Sequence, residues 1–214
     1  MTLVLSDDQL GAVHLLLDRI RARQLQDFGQ IGSDVKPDGS LITDCDRWSD
    51  SALVEGLTSI APGEGVLSEE GSQSVPSSRA YWVVDPLDGT VNFAHRIPHF
   101  CVLVAAQARD VTGEYKTVAA ATYDPMRSEM FLCEKGEGAT LNGRPIRVSQ
   151  KENLIDSLLT TGFGYDRLFD HNDNHAEYCR MNLLTRGVRR LGSAGLDLAY
   201  VAAGRFDGFW EYAL

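Results

Sequence analysis

Short apolar strands joined by turns dominate the middle of this 214-residue chain and constrain its fold most. The segments 99–106, 117–123 and 129–133 carry the β-branched and aromatic residues typical of strands. Asn142-Gly143 is a strong hairpin signal before a further short strand at 146–148. Strands that follow one another through hairpins predict an antiparallel or mixed sheet.

Two helical patterns precede this sheet. Ser6 and Gln9 have the spacing of a capping box, and apolar residues then recur at helical spacing to about Phe28. A second helical pattern begins near residue 44 and ends before Pro62-Gly63. These helices are expected to cover one face of the sheet.

The pattern changes near Lys151 to alternating strands and helices. The predicted elements are strands at 157–162, 188–191 and 206–212 and helices at 174–185 and 194–203. We therefore divide the chain into an amino-terminal α+β half, residues 1–150, which carries two helices on a mainly antiparallel sheet, and a carboxyl-terminal α/β half, residues 151–214.

One strand leads directly into acidic residues. Tyr81-Trp82-Val83-Val84 is typical of a buried strand, and Pro86 is expected to end its pairing, so that the chain leaves the sheet at Asp85. Leu87 is the nearby apolar side chain that can anchor the turn, which leaves Asp85 and Asp88 to point into one cleft. Two close carboxylates repel unless they share a proton or a cation.

Gly89 and Thr90 come next and suit an anion. A glycine lets the backbone approach a ligand closely, and a hydroxyl residue can begin a helix whose N–H groups face that ligand. A metal cluster with a phosphate above it would satisfy these features. The alternative is an ordinary turn, because Asp-Pro and Asp-Gly are common turn dipeptides.

Further candidate residues lie upstream. Glu69 and Glu70 follow a short apolar strand, and their separation from Asp85 suits an adjacent strand that returns the chain to the same sheet edge. Such an acid pair by itself is typical of a surface turn. Lys36 lies in a polar loop or loose hairpin and by itself is typical of a solvated lysine, and Asp44 suits either a helix N-cap or an outer role at the site.

Two candidates lie downstream. Gly192-Ser193-Ala194 is placed between a strand and a helix, where it forms either a simple tight turn or a turn whose N–H groups meet an anion or hydroxyls. Glu211 ends the last predicted strand. His171 and His175 have the spacing of a metal pair, but the surrounding Asn and Asp residues favour a polar loop.

Composition excludes several classes of function. Lys+Arg 20 against Asp+Glu 30 gives a net charge of −10, which argues against nucleic acid or an anionic membrane as a general partner. Cys45, Cys101, Cys133 and Cys179 show no ligand spacing and are expected to be free, buried thiols. Without a signal peptide or a spanning segment, the chain is expected in the cytoplasm.

The sequence DPLDGTVNF, with the apolar strand before it and AHRIP after it, resembles the first signature of the inositol monophosphatase family. The resemblance extends over nearly the whole chain, from Lys36 and Thr43-Asp44 through Glu69 to Gly192-Ser193-Ala194 and Glu211-Tyr212. It implies a layered sandwich of the sugar-phosphatase type, α+β or α/β, with alternating α-β-α-β-α layers.

The resemblance also implies Mg²⁺ as cofactor, with two to three ions in the family, and inhibition by Li⁺. Glu69, Asp85 and the Leu87 carbonyl would hold the first ion, and Asp85 with Asp88 the second. Thr90 and Glu69 would orient and deprotonate a water. The substrate would lie against a set of residues on both sides of the site: Gly89, Thr90, Gly192, Ser193, Ala194 and Glu211. Lys36, Asp44 and Glu70 would support the site.

The implied activity is hydrolysis of inositol monophosphate or a similar small sugar or polyol phosphate, by a homodimer that binds neither nucleic acid nor membrane. Related family members act on fructose 1,6-bisphosphate, nucleotide 3′-phosphate or histidinol phosphate, and these substrates stay open. A catalytically weak member with a regulatory or scaffolding role is the alternative from another class.

One departure from the family concerns the end of the chain. Members continue into a second signature, Trp-Asp followed by small residues, whose aspartate completes the second metal site, whereas this sequence ends at Leu214. The resemblance thus implies either a fragment, lacking its carboxyl-terminal part, or a variant without that ligand. We expect such a chain to bind one Mg²⁺ and to turn over poorly.

Overall fold

The computed structural model describes residues 6–71, 73–74, 80–164 and 173–212. The helices are α1 (Asp7–Asp27), α2 (Asp44–Ile60), α3 (Thr90–Ala94), α4 (His175–Leu184) and α5 (Ala194–Ala202), and a 3₁₀ turn spans Leu154–Asp156. The strands are β1 (Ser33–Val35), β2 (Leu41–Thr43), β3 (Gly65–Ser68), β4 (Gln73–Ser74), β5 (Ala80–Asp88), β6 (Cys101–Arg109), β7 (Tyr115–Asp124), β8 (Glu129–Glu134), β9 (Gly138–Leu141), β10 (Arg144–Pro145), β11 (Leu158–Thr161), β12 (Gly187–Arg189) and β13 (Gly208–Trp210).

The large sheet is mixed, as predicted. Its strand order is β10-β9-β8-β7-β6-β5-β3-β4, and every pair is antiparallel except β3 and β5. The hairpin predicted at Asn142-Gly143 joins β9 to β10. The prediction of a strand at 146–148 is wrong, because β10 ends at Pro145 and, among the described residues, only one further backbone hydrogen bond follows, from the Ile146 N–H to the Ala139 carbonyl at 3.0 Å.

Helices α1 and α2 pack on one face of this sheet. Ser6 caps α1 through the predicted capping box with Gln9. The buried core between the helices and the sheet includes Leu17, Leu53 and Trp82. The predicted covering of one sheet face by the two amino-terminal helices is confirmed.

Strand β5 continues further than the sequence predicts. Asp85 pairs with Leu103, the register shifts, and Asp88 pairs with Cys101. The prediction that the chain leaves the sheet at Asp85 is therefore wrong. Pro86 has no backbone N–H to donate, and a bulge accommodates it before pairing resumes at Asp88.

The second sheet is parallel, with order β12-β11-β13. The connection through α4 runs from β11 outwards to β12, and the connection through α5 runs back across β11 to β13. Because such crossovers are right-handed, α4 and α5 lie on opposite faces of this sheet. Helix α5 also packs against β6 and β7, so it fills the space between the two sheets. The predicted α-β-α-β-α layering is confirmed.

The remaining predictions concern individual residues. Cys45, Cys101, Cys133 and Cys179 are all free, but the last two are exposed, so the prediction that all four are buried is wrong. His175 begins α4, and His171 lies outside the described residues. Within the described part of the chain, no helix is both long enough and apolar enough to span a bilayer.

Candidate active site

Parallel pairing of β3 with β5 brings two of the predicted acids together. Ser68 lies opposite Val84, so Glu69, directly after β3, and Asp85, within β5, lie side by side at the same end of the sheet. The spacing is suitable for this return to one edge, and the family resemblance supports it further. A cavity of about 470 Å³ opens there.

The bulge in β5 fixes the orientation of Asp85. Its Oδ1 accepts a hydrogen bond from the Leu87 N–H at 3.0 Å. The Leu87 side chain is buried against Phe93 and Phe100 and anchors the turn, as predicted. Behind the turn, the Gln24 amide donates to the Pro86 carbonyl at 2.9 Å.

Asp88 connects this turn to helix α5. Its Oδ2 accepts hydrogen bonds from the Ser193 hydroxyl at 2.6 Å and the Gly195 N–H at 2.7 Å, and the Cys101 thiol lies 3.4 Å away. Asp88 therefore accepts hydrogen bonds from the N-terminus of α5, which lies more than a hundred residues further along the chain. Ser193, predicted to bind substrate, directs its hydroxyl to Asp88.

Burial and mutual repulsion dominate the electrostatics of the acids. Burial, followed by the charges of Asp88 and Glu69, raises the pKa of Asp85 well above its usual range. Burial also raises the pKa of Asp88, and partial desolvation at the cavity wall raises the pKa of Glu69, whose side chain is still exposed. The side chain of Glu69 adds to this effect, since its interaction with Asp85 also raises the pKa of Asp85. Such a group is neutralised either by protons or by a cation.

Lys36 supports this acidic group from the side. Its Nζ lies 2.7 Å from Glu70 Oε1 and 3.9 Å from Glu69 Oε1. Burial alone would lower the pKa of Lys36, but the hydrogen bond and charge of Glu70 and the charge of Glu69 raise it. Lys36 and Glu70 thus form a partly buried ion pair beside Glu69, in the supporting positions that the sequence suggested.

The donor chemistry fits a hard divalent cation. Carboxylate oxygens of Glu69, Asp85 and Asp88 and the Leu87 carbonyl line one cavity. Among the described residues, no three His, Cys, Asp or Glu side chains form a group that could hold an ion by themselves. Mg²⁺ does not require such a cage, because it commonly binds one or two carboxylates together with water and substrate phosphate.

Thr90 has a partner that the sequence reasoning missed. Its Oγ1 lies 2.9 Å from Asp46 Oδ1 and 3.0 Å from the Leu87 carbonyl. Asp46 is buried, and its Oδ2 accepts from the Thr43 N–H at 2.8 Å and from the Thr43 hydroxyl in a capping box. Burial raises the pKa of Asp46. The Thr43-x-x-Asp46 spacing is the sequence signal for this arrangement.

Asp44 does not occupy the predicted capping position. Thr43 is the N-cap of α2, and Asp44 is its first helical residue. The Asp44 side chain is 79% exposed and pairs with Arg47 at 2.9 Å. Of the two alternatives for Asp44, the N-cap is wrong because Thr43, immediately before it, caps the helix. Asp44 is also not among the described residues that line the cavity, so the supporting role expected for it has no contact there.

Position 89 requires a glycine, because of its backbone conformation and its close neighbours. Its φ of +95° is left-handed, and a Cβ there would meet the carbonyl oxygens of His99 at 3.1 Å and Gly192 at 3.2 Å. Thr90 then begins α3, and the first N–H groups of a helix have no partner within it. The backbone of this turn can therefore donate to an anion in the cavity.

The opposite wall of the cavity comes from the parallel sheet. The carboxyl ends of β11, β12 and β13 lie at one edge and supply Gly162, Arg190 and Glu211. The Glu211 carboxylate lies directly on Gly162, where a Cβ would overlap both carboxylate oxygens. Burial raises the pKa of Glu211. Arg190 is the basic side chain among the described residues that line the cavity.

The turn at Gly192-Ser193-Ala194 closes this wall. All three residues line the cavity, and Gly192 has a φ of +85°. Asp197, one helical turn later, also lines it and was missed by the sequence reasoning. Burial is the main cause that raises the pKa of Asp197, to about 7. The sequence signal available for these residues was their position after predicted parallel strands.

The fold and the cavity together define a layered α/β protein with a carboxylate-lined site between its two sheets. The family model described as "Inositol monophosphatase family" matches residues 5–214. This chain belongs to the inositol monophosphatase family.

Three relatives illustrate the similarity. An inositol-1-monophosphatase from Synechocystis sp. is 40% identical over 192 residues, which are 89% of this chain and 63% of that protein. The Nus factor SuhB of Pseudomonas aeruginosa is 39% identical over 197 residues, 90% of this chain and 71% of that protein. The structure of inositol monophosphatase from Anabaena (Nostoc) sp. superimposes with a TM-score of 0.82 at 36% identity, covering 96% of this chain and 75% of that one. The chain therefore spans about 63% of the length of the Synechocystis relative.

Proposed function

We propose that the protein is a Mg²⁺-dependent phosphomonoesterase that hydrolyses inositol monophosphate or a similar small sugar or polyol phosphate. The observation that carries this proposal is the composition of one cavity. One side presents Glu69, Asp85 and Asp88, and the other presents Glu211 and the Gly192–Ala194 turn. The first side suits a cation and a phosphate, and the second suits hydroxyl groups.

The residues that would hold Mg²⁺ are those with oxygen donors at the sheet edge. Glu69, Asp85 and the Leu87 carbonyl would hold one ion, and Asp85 and Asp88 would supply only part of the ligands of a second position. When bound, such ions neutralise charge on the phosphate and lower the pKa of bound water.

The chain's own residues orient the attacking water and the phosphate. Thr90 has a single hydroxyl proton, and when it donates this proton to Asp46, its lone pairs remain available to accept a hydrogen bond from water. Glu69 can accept the second proton of that water. The N–H groups of Gly89 and Thr90 are placed to hold phosphoryl oxygens while the ester P–O bond breaks.

The wall opposite the acids would select the alcohol part of the substrate. Glu211 can accept hydrogen bonds from substrate hydroxyls, and Arg190 lowers the negative potential beside it. No histidine or cysteine nucleophile is needed for this reaction, which proceeds by direct attack of water on phosphorus.

A substrate panel tests the proposed function. Phosphate release from inositol 1-phosphate is compared with release from fructose 1,6-bisphosphate, a nucleotide 3′-phosphate and histidinol phosphate, with Mg²⁺ and with or without Li⁺. We expect Mg²⁺-dependent release that is greatest for inositol 1-phosphate and inhibited by Li⁺. Release that is independent of Mg²⁺, or absent for all four esters, would contradict the proposal.

A second candidate is a regulatory contact role without turnover, which the name of the Pseudomonas relative, Nus factor SuhB, favours. The exchange Glu69→Ala separates the two functions, because it removes a catalytic carboxylate that is 58% exposed and so should leave the fold unchanged. A cellular role that survives this exchange would support the contact function, and one that is lost would support catalysis.

The predicted homodimer and cytoplasmic location are further parts of the proposal. Light scattering on the purified protein measures the first, since a dimer is expected to have twice the mass of the chain.

A further inference from the structure

Asn92 lies in the signature segment and is almost fully buried, with 5% of its surface exposed. It occupies α3, two residues after Thr90. The mechanism above uses no part of its side chain. Its amide nitrogen nevertheless contacts segments from both halves of the chain.

The Asn92 amide donates to three backbone carbonyls. Nδ2 lies 2.7 Å from the oxygen of His99, 2.8 Å from that of Leu191 and 3.3 Å from that of Gly192. His99 precedes β6 in the large sheet, whereas Leu191 and Gly192 lie between β12 and α5, 99 and 100 positions from Asn92. One side chain thus joins the turn beside Gly89 to the turn before Ser193.

The chemistry of this position requires an amide. Two N–H donors can meet two carbonyls at short distance while the third is shared. A carboxylate would repel all three oxygens, and a hydroxyl could donate to one of them. Since buried carbonyls need donors, a substitution here leaves acceptors unsatisfied in both halves of the site.

The packing around the amide leaves little freedom. A Cβ at Gly89 would meet the His99 and Gly192 oxygens at 3.1 and 3.2 Å, and a Cβ at Gly192 would meet Asn92 Nδ2 at 3.1 Å. The two glycine turns therefore approach each other closely, with the amide beside them. Their spacing depends on the three hydrogen bonds that the amide makes.

We propose that Asn92 is a positioning residue that sets the distance between the phosphate-facing turn, Gly89-Thr90, and the hydroxyl-facing turn, Gly192–Ala194. This inference rests on the proposed function. A substrate that contacts both turns depends on their spacing, whereas a phosphate ester without hydroxyls depends on the first turn alone. Asn92 therefore contributes to selectivity for polyol esters without touching them.

The test compares two esters in the full chain. For Asn92→Ser, kcat/KM for inositol 1-phosphate should fall about ten-fold to a hundred-fold, mainly through KM, because a displacement of about 1 Å can cost that much. The value for 4-nitrophenyl phosphate should change much less, and Mg²⁺ affinity measured by calorimetry should be unchanged. Asn92→Ala should give the same selective loss if the serine variant folds poorly.

Asn142 supplies a matched control. Its Nδ2 donates to the Ser128 carbonyl at 3.1 Å in the hairpin between β9 and β10. Asn142→Ser removes a side-chain amide of the same kind and should leave the ratio of the two esters unchanged. Equal losses for both esters in the Asn92 variants, or no loss, would overturn the inference.

Hydrogen exchange provides a readout that does not depend on activity. The amides of residues 191–197 should exchange faster in Asn92→Ser than in the wild type, and unchanged exchange would overturn the inference. Wild-type protein that hydrolyses neither ester would instead refute the proposed function, and the exchange measurement would still decide the role of Asn92.

Discussion

At the residue scale, the proposed role of Asp46 in catalysis depends on a contact with a residue distant in sequence. Asp46 accepts the Thr90 hydroxyl from a position 44 residues earlier in the chain. In Asp46→Asn, Thr90 faces either a neutral amide oxygen, which is a weaker acceptor, or an amide nitrogen, which donates to the Thr90 hydroxyl instead of accepting from it. We expect kcat to fall about 100-fold, because the Thr90 hydroxyl is then no longer held with its lone pairs towards the attacking water and a misplaced reactant costs on that scale, with little change in KM or Mg²⁺ affinity.

Asp44→Asn is the control for that exchange. Asp44 lies in the same first turn of α2, so both variants lose one negative charge at a helix N-terminus. Its side chain is 79% exposed, and its activity should equal that of the wild type. Equal losses in steady-state kinetics for both variants would refute the special role of Asp46.

Gly162 makes room for the carboxylate of Glu211. In Gly162→Ala the new Cβ would overlap both oxygens of that carboxylate, so Glu211 must move away. Loss of a hydrogen bond to a charged group predicts a rise in KM for inositol 1-phosphate of about ten-fold or more. Steady-state kinetics measure this change. Gly32→Ala, at a position with nothing within 4 Å, should leave KM unchanged, and an unchanged KM in Gly162→Ala as well would show that Glu211 does not bind substrate.

His99 should make stability depend on pH. Burial, then the charge of Arg127, lowers the pKa of His99 from 6.5 to about 4. Between these two pH values the unfolded chain binds a proton that the folded chain does not, so stability is lost as the pH falls.

Urea unfolding at several pH values measures this effect. Between pH 7 and pH 4, the wild type should lose on the order of 2 kcal/mol more stability than His99→Gln. Identical pH dependence in wild type and His99→Gln would show that the burial of His99 has no such cost.

At the element scale, the close approach of α1 and α2 depends on Gly56. A Cβ there would meet the two methyl carbons of Leu16 at 2.6 and 2.7 Å, and Leu16 is buried. We expect Gly56→Ala to lower the free energy of unfolding by about 1 to 2 kcal/mol, because overpacking outweighs the gain in helix propensity.

Gly11→Ala is the matched exchange on α1, where a Cβ meets nothing within 4 Å. It should raise the free energy of unfolding by up to about 1 kcal/mol. Thermal or urea unfolding of both variants measures the difference. A stabilised Gly56→Ala would show that Leu16 adjusts without cost.

Local signals in the sequence were sufficient to predict most of these elements. The capping box at Ser6 and Gln9 and the turn at Asn142-Gly143 depend on residues close in the chain, and the structure contains both. The path of β5 beyond Pro86 could not be predicted in this way. It depends on the partner strand β6, with which Asp88 resumes pairing at Cys101.

The same distinction holds for the site. Glu69, Asp85 and Asp88 could be predicted because acids directly after strands are visible in the sequence. The roles of Asp46, Asn92 and the other residues missed depend on contacts that span from 44 to 100 positions. Such contacts follow from the packing of elements. The Thr43-x-x-Asp46 spacing signals the helix start but not the contact of Asp46 with Thr90.

At the scale of the whole molecule, the site lies where two sheets present their strand ends to each other. The amino-terminal half supplies the acids and Thr90, and the carboxyl-terminal half supplies Glu211 and the start of α5. Asp88 and Asn92 bond across this boundary. The cavity therefore depends on the packing of the two sheets, and helix α5 lies between them.

The most direct test of this account is phosphate release from inositol 1-phosphate as a function of Mg²⁺ concentration, for the wild type and Asp85→Asn. Asp85 is the acid shared by both proposed ion positions, so its neutralisation removes charge where the cations are needed. We predict saturable, Mg²⁺-dependent release by the wild type and a loss of about 100-fold or more in Asp85→Asn. Equal release by the two proteins, or wild-type release that persists in a chelator, would contradict it.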